Sequence, residues 1–131
     1  MGRVPIGSAD FSTVEYSYDN VTNDFDLVNF ALGYEDIEYK IPFIQRAINL
    51  TQNKLKLYGS PWSAPGWMKS DNSMNGGTSL IGNLTNEGNK YYKTWANYFV
   101  KWVEKTDDVS KFRFFESYNN SGIQFWGVTI Q

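Results

Sequence analysis

The stretch that decides the fold is Leu55-Lys56-Leu57-Tyr58-Gly59-Ser60-Pro61-Trp62-Ser63-Ala64-Pro65-Gly66-Trp67-Met68-Lys69. Its short apolar run breaks at Gly59-Ser60-Pro61, where proline lacks a backbone donor and fixes φ, so a strand is predicted to end there. Trp62 and Trp67 then follow the strand end. A large, flat indole ring suits either the apolar C–H face of a sugar or a packed loop, and this stretch alone does not separate the two.

The composition indicates one globular domain without thiol or imidazole chemistry. The chain has 131 residues, enough for one ordinary domain, and its 41% hydrophobic and 20% charged residues are typical of a folded protein. Aromatic residues reach 18%, which favours a ring-binding or a heavily packed protein. Because Cys and His are absent, a Cys/His zinc site, a thiol nucleophile, an imidazole base and a disulfide framework are excluded within this chain. We expect no metal and no cofactor.

Charge and sorting signals narrow the partners and the compartment. With a formal charge of -2 and scattered Lys and Arg, we expect no nucleic-acid partner. No run approaches the length of a membrane span, and the first residues do not form a signal peptide, so any targeting signal is expected outside this chain. Glycosylation sequons weakly favour the secretory pathway, and they begin at Asn20, Asn49, Asn83 and Asn119.

Before the deciding stretch, the pattern predicts a strand, a long loop and a helix. The strand covers residues 3–8, with Pro5 confining it to an edge or a strand start, and the loop covers residues 13–33. The helix begins at Glu35, and Pro42 either kinks it or marks its true start. Its predicted apolar face is Ile37, Ile41, Ile44 and Ile48, and its first-turn acidic residues, which the helix dipole favours, are Glu35, Asp36 and Glu38.

After that stretch, a second long loop, a helix and a strand are predicted. The loop covers residues 61–88, the helix starts near Asn89 as N-cap, and an aromatic segment at 112–118 leads through a turn to a strand at 123–130. The helix is expected to pack through Tyr92, Trp95, Ala96, Phe99, Trp102 and Val103.

The order of elements predicts an α/β fold with parallel strands joined by helical crossovers. Both long loops follow strands, which places them at the carboxyl ends, where ligands bind in α/β sheets and barrels. No glycine-rich phosphate cradle follows either strand. A barrel is therefore favoured over a nucleotide-binding doubly wound sheet.

Several collinear motifs resemble the glucosylceramidase family, glycoside hydrolase family 30. They are Arg3-Val4-Pro5 through Asp10-Phe11-Ser12, Lys40-Ile41-Pro42, Ser60-Pro61-Trp62 with Pro65 and Trp67, Tyr98-Phe99-Val100-Lys101, and Gln124-Phe125-Trp126-Gly127-Val128-Thr129. The resemblance covers nearly the whole chain. It implies a part of the catalytic domain, a (β/α)₈ TIM barrel, with residues 1–131 supplying about strands two to four and the two intervening helices.

The same resemblance implies a retaining β-glucosidase that cleaves glucosylceramide in the lysosome. Asp10 would bind hydroxyls of the glucose, and Trp62 would line the same subsite. Phe11 and Trp67 are weaker candidates for that subsite, with packing roles as the alternative. A saposin-type activator and a membrane surface are implied as partners.

The expected catalytic carboxyl pair is not found in this sequence. A retaining glycosidase needs two carboxyls about 5 Å apart, and the resemblance places the acid/base Glu just after Gln131 and the nucleophile further on. Asp10, Glu15 and Asp24 show no spacing that argues for a replacement pair. We therefore expect this chain alone to be inactive, poorly soluble or molten, because a partial barrel exposes sheet edges and apolar helix faces.

Residues 102–113 depart from the family pattern and are interpreted as an insertion, either a mispredicted gene segment or a species-specific loop. Two alternatives to the leading function remain. One is a non-catalytic carbohydrate-binding or scaffold protein that uses Trp62 and Trp67 as a sugar platform. The other is a related glycosidase acting on another β-linked sugar, such as xylan.

Overall fold

The computed structural model describes residues 1–85, 89–99 and 114–129. Within these residues the structure contains three strands, three α-helices and two short helical turns of other types. In chain order the elements are β1 (Gly2–Ile6), a π-helical turn (Asp36–Lys40), α1 (Ile41–Leu50), β2 (Leu57–Pro61), a 3₁₀ turn (Gly66–Met68), α2 (Lys90–Phe99), α3 (Phe114–Asn120) and β3 (Gly127–Val128).

The strands form one parallel sheet in the order β1-β2-β3, which confirms the predicted α/β architecture. Pro5 lies on β1, which pairs with β2 from Gly2↔Leu57 to Ile6↔Pro61. β3 is much shorter than the predicted strand 123–130. The residues before it instead leave the turn after α3, and Ile123 is fully buried in the core there.

The first helix differs from its prediction at its beginning. A π-helical turn precedes α1, and Pro42 lies in the first turn of α1, so this proline marks the start of the α-helix. Ile44 is buried, but Ile37 is 53% exposed and does not belong to the packing face. The wider π turn changes the rotation per residue and breaks the predicted spacing. Asp36, predicted only as a first-turn acidic residue, is fully buried.

The packing face of α2 agrees only in part with the predicted one, because Trp95 and Phe99 pack against the core but the fully buried positions are different. Thr94 and Tyr98 are its buried residues, whereas Ala96 is exposed. Both polar side chains are hydrogen-bonded, because Thr94 Oγ1 donates to the Phe25 carbonyl at 3.1 Å and the Tyr98 hydroxyl accepts from the backbone N–H of Tyr18 at 2.6 Å. Trp102, Val103 and the expected insertion at 102–113 lie outside the described residues.

The core lies between the sheet and the helices and is rich in aromatic rings. Tyr18 stacks between Tyr98 and Phe114, with both ring centroids 5.9 Å away. On the sheet, a Cβ at Gly59 would lie 2.9 Å from Ile6 Cδ1, so a larger residue there would require the Ile6 side chain to shift. The sheet and helices thus hold the ends of β1 and β2 in fixed positions for the loops that follow.

Candidate functional site

A cleft of about 440 Å³ opens where β1 and β2 end. The two loops that follow these strands form its walls, as the sequence predicted for ligand-binding loops of an α/β fold. The cleft is lined by Ser8, Ala9, Asp10, Ser12, Thr13, Val14, Glu15, Trp62, Ser63, Met74, Asn75 and Gly76.

The first wall is built on a sharp bend after β1. Gly7 adopts a positive φ of +77°, and Ser8 then donates a backbone hydrogen bond to the Tyr16 carbonyl at 3.0 Å. In the next turn, Ser12 N–H donates to the Ala9 carbonyl at 2.8 Å, and Ala9 N–H donates to Ser12 Oγ at 2.9 Å. This double closure explains the serine of the Asp-Phe-Ser motif, since its hydroxyl fixes the turn.

The turn exposes both of its central residues, but only one faces the cleft. Asp10 is exposed and lines the cleft, where its carboxylate is free to accept hydrogen bonds from a ligand. Phe11 is 90% exposed and is not among the lining residues. The structure therefore places Asp10, and not Phe11, in the candidate site.

Trp62 directly follows β2 and lines the opposite wall. Its ring is partly buried, and the guanidinium carbon of Arg3 lies 4.8 Å from the ring centroid. This cation–π contact stabilises the indole without burying it completely. Asp10 and Trp62, predicted at two strand ends, thus line one cleft.

Trp67 has a different environment. It is 6% exposed, its Nε1–H donates to the Asp19 carbonyl at 3.1 Å, and its ring packs against Phe25 with centroids 5.5 Å apart. It does not line the cleft. The structure places Trp67 in the core, so the two tryptophans do not form a common platform in the part of the chain described.

Glu15 and Asn75 both line the cleft, and their contact was not predicted from the sequence. Asn75 Nδ2 donates to Glu15 Oε2, which joins the loop after β1 to the loop after β2. Glu15 carried no local signal beyond its charge, and Asn75 lay in a Gly-, Asn- and Ser-rich loop that indicated only turns. Their contact spans 60 positions and is not encoded in any short pattern.

Other candidate features can be located as well. The sequon residues Asn20, Asn49, Asn83 and Asn119 are all exposed. In the described ranges, no group of three or more His, Cys, Asp or Glu residues is arranged to hold a metal ion. The site is therefore characterised by carboxylate, amide, hydroxyl and indole groups.

Comparison with known proteins fits this geometry. The family model described as "Glycosyl hydrolase family 30 TIM-barrel domain" matches residues 1–131. "Putative glucosylceramidase 4" of Caenorhabditis elegans is 52% identical over 130 residues, 99% of this chain. "Lysosomal acid glucosylceramidase" of Mus musculus is 40% identical over 129 residues, 98% of this chain.

A solved structure agrees with these relatives. The structure described as the endo-β1,6-glucanase BT3312 superposes with a TM-score of 0.67 at 29% identity, covering 98% of this chain and 25% of that one. The chain spans 22% of the length of each of the two curated relatives. Because the family model matches all 131 residues, the chain belongs to glycosyl hydrolase family 30 and forms part of the TIM-barrel domain of that family.

Proposed function

We propose that this chain is part of a retaining β-glucosidase that hydrolyses glucosylceramide to glucose and ceramide. The observation that carries the proposal is the cleft in which Asp10 and Trp62 meet at the carboxyl ends of β1 and β2. This is the face on which TIM-barrel enzymes place their active sites. The glucosylceramidases to which the chain is similar support the choice of substrate.

The chemistry of the two residues suits a glucose ring. The carboxylate of Asp10 accepts hydrogen bonds from sugar hydroxyls, and the Trp62 indole offers an apolar surface to the C–H groups of the ring. Together they would fix the ring position. The catalytic step itself needs a carboxyl nucleophile and a carboxyl acid/base about 5 Å apart. The proposal assigns that pair to residues other than those in this chain, so the chain's role is substrate binding.

We further propose a lysosomal route, with a saposin-type activator and a membrane surface as partners. The name of the mouse relative supports the compartment, and the exposed sequons are compatible with passage through the secretory pathway. In the described part of the chain, no helix is long and apolar enough to cross a membrane. The activator and the membrane rest on family resemblance alone.

The second candidate is a glycosidase for another β-linked sugar. The structural similarity to an endo-β1,6-glucanase, with a TM-score of 0.67 over 98% of this chain, favours it. Comparing glucosylceramide with a β-1,6-linked glucan as substrates separates the two candidates. A higher kcat/KM for the glucan would favour the second.

The test uses the protein translated from the complete transcript, sequenced across codons 102–113. We expect hydrolysis of glucosylceramide with retention of configuration. Asp10→Ala should lower kcat/KM about 10- to 100-fold, the effect of one lost charged hydrogen bond. Glu38→Ala serves as control, because Glu38 is exposed on the π-helical turn and does not line the cleft.

Two results would count against this proposal. Unchanged kcat/KM in Asp10→Ala would remove Asp10 from the substrate site. Turnover of a glucoside by the pure 131-residue chain would contradict the assignment of the catalytic pair to residues outside it.

A further inference from the structure

The contact between Glu15 and Asn75 lies in the cleft but is not explained by the binding of a single glucose ring. The two side chains come from different walls, and each is exposed. Apart from the bond to Asn75, Glu15 accepts no side-chain hydrogen bond from the described residues. An exposed contact of this kind contributes little to stability by itself, so the two side chains can exchange it for contacts with a ligand at little cost.

The backbone on both sides of Asn75 is hydrogen-bonded to a buried lysine. Lys69 is only 6% exposed, and its Nζ donates to the carbonyls of Met74 at 3.3 Å and Gly76 at 3.2 Å, the residues on either side of Asn75. A buried ammonium thus fixes the backbone around the one residue that reaches across the cleft. Such preorganisation lowers the entropy cost of binding a ligand.

The base of the same loop is also fixed. Ser70 N–H donates to the Ser79 carbonyl at 3.1 Å, and Ile81 N–H donates to the Met68 carbonyl at 2.9 Å. These bonds close the loop into a narrow hairpin-like segment whose far end carries Asn75. The backbone position of Asn75 is therefore set by the fold, and its side-chain amide reaches Glu15 from there.

Glu15 is anchored through its neighbour. The carbonyl of Tyr16 accepts from Ser8 N–H at 3.0 Å, and the Tyr16 hydroxyl accepts from Lys40 Nζ at 2.8 Å. Both members of the pair are thus presented from fixed backbone, and both line the cleft.

The chemistry of the pair suits a ligand with hydroxyl or N–H groups and disfavours an anion. The charged side chains along the described lining of the cleft are the carboxylates of Asp10 and Glu15, which would repel an anion. A carboxylate accepts hydrogen bonds from hydroxyl or N–H groups, whereas an amide both donates and accepts. Glu15 and Asn75 together therefore match two adjacent polar groups of such a ligand.

We propose that Glu15 and Asn75 form a second polar subsite, which binds hydroxyl or amide groups on the part of the substrate that adjoins the glucose held by Asp10 and Trp62. The inference rests on the proposed function and extends it to specificity. Two sources carry this chemistry: a second sugar ring, or the hydroxyl and amide of the ceramide backbone. The pair is a specificity determinant and takes no part in bond breaking.

The experiment compares three substrates in the protein translated from the complete transcript. They are an aryl β-glucoside without adjoining hydroxyls, a β-linked glucose disaccharide, and a short-chain glucosylceramide. Glu15→Gln and Asn75→Ala are each expected to lower the ratio of kcat/KM for an adjoining-group substrate to that for the aryl glucoside by about tenfold, the effect of one hydrogen bond. A fall confined to the disaccharide identifies a sugar subsite, and one confined to glucosylceramide identifies ceramide recognition.

The controls make the failures distinguishable. Glu38→Gln, an exposed carboxylate outside the cleft, should leave both ratios unchanged. An equal loss on all three substrates in both variants would overturn the inference, because it would show that the contact only ties the loops together. Unchanged ratios would overturn it as well, while hydrolysis that depends on Asp10 would leave the proposed function standing. If the wild type cleaves none of the three substrates, the proposed function fails and the inference fails with it.

Discussion

The cleft and the buried centre around Asp36 contain the same kinds of residue, but these residues are exposed in the cleft and buried in the centre. Each combines a carboxylate with aromatic rings. In the cleft, Asp10 is exposed and Trp62 is only partly buried. In the buried centre, Asp36 is fully buried, and its Oδ1 accepts from Tyr18 at 2.7 Å and from Tyr118 at 2.6 Å. The cleft leaves its polar atoms open to a ligand, whereas in the buried centre the fold supplies donors to Asp36 Oδ1 and leaves the buried Oδ2 without a hydrogen-bond partner among the described residues.

The buried centre also determines where the cleft begins. Lys40 Nζ donates to Asp36 Oδ1 at 3.2 Å and to the carbonyls of Pro5 at 3.1 Å and Gly7 at 3.4 Å. It therefore joins the π-helical turn to the end of β1 and to the first residue of the cleft loop. Burial lowers the pKa of Lys40, and the neighbouring Asp36 opposes that effect. The centre thus supports the site without facing the ligand.

The largest effect is expected from removing the carboxylate of the buried centre. Asp36→Ala leaves Tyr18, Tyr118 and the Lys40 ammonium without their shared acceptor, so we expect a loss of about 3–5 kcal/mol in the free energy of unfolding. Urea denaturation of the protein translated from the complete transcript measures it. Glu38→Ala, on the same turn but exposed, should change stability by less than about 0.5 kcal/mol. Equal effects of the two variants would contradict the comparison.

A smaller effect separates the two tryptophans. Trp67→Phe removes a buried N–H bond to the Asp19 carbonyl and part of a packed ring, so stability should fall by about 1–3 kcal/mol. Trp62→Phe should leave stability within about 1 kcal/mol, because its ring is partly exposed and stays aromatic, but should weaken sugar binding. Thermal unfolding and glucoside KM measure the two readouts. If Trp62 carried the stability and Trp67 the binding, the division between core and cleft would be wrong.

Much of this division between core and cleft could be predicted from the sequence, wherever a local pattern determines the structure. The alternation of apolar runs, Gly-Pro breaks and helical periodicity predicted the parallel strands and placed both long loops at their carboxyl ends. Because strand ends meet at one edge of a sheet, Asp10 and Trp62 were predicted on the same face. The proline after Ile41 also marked a helix start correctly as one of two options.

What the sequence did not predict depends on contacts between distant residues. Asp36 looked like an ordinary first-turn carboxylate, because its partner Tyr118 lies 82 positions away. The packing face of α2 was predicted from apolar residues, but the buried Thr94 and Tyr98 are polar and find their partners in the loop after β1. Trp67 is buried by Phe25 and Tyr91, which no local pattern connects to it. Hydrogen bonds between residues far apart in the sequence therefore cannot be predicted from helical or strand periodicity, whether they lie in the core or in the cleft.

The smallest expected effect per residue is a loss of stability at alkaline pH, which comes from the buried tyrosine phenols. Burial raises the pKa of Tyr18, Tyr98 and Tyr118 well above the usual phenol value, and the nearby Asp36 adds to the shift. In the unfolded chain these phenols ionise near pH 10, whereas in the folded protein they stay protonated. The folded state therefore binds more protons above that pH. Each phenol should lower stability by about 1.4 kcal/mol per pH unit there.

Urea denaturation at several pH values above about 9, with tyrosinate absorbance as a second signal, checks this prediction. The buried phenols should ionise only as the protein unfolds. The lowered pKa of Lys40 acts in the opposite direction. At pH values just below the usual lysine pKa the unfolded chain holds more protons than the folded protein at this residue, so stability rises with pH there and offsets part of the loss from one phenol. If the phenols of the folded protein ionised in the ordinary range without unfolding, the aromatic centre would be open to water. It would then resemble the cleft, and the contrast between a core that excludes water and a site left open for ligand would fail.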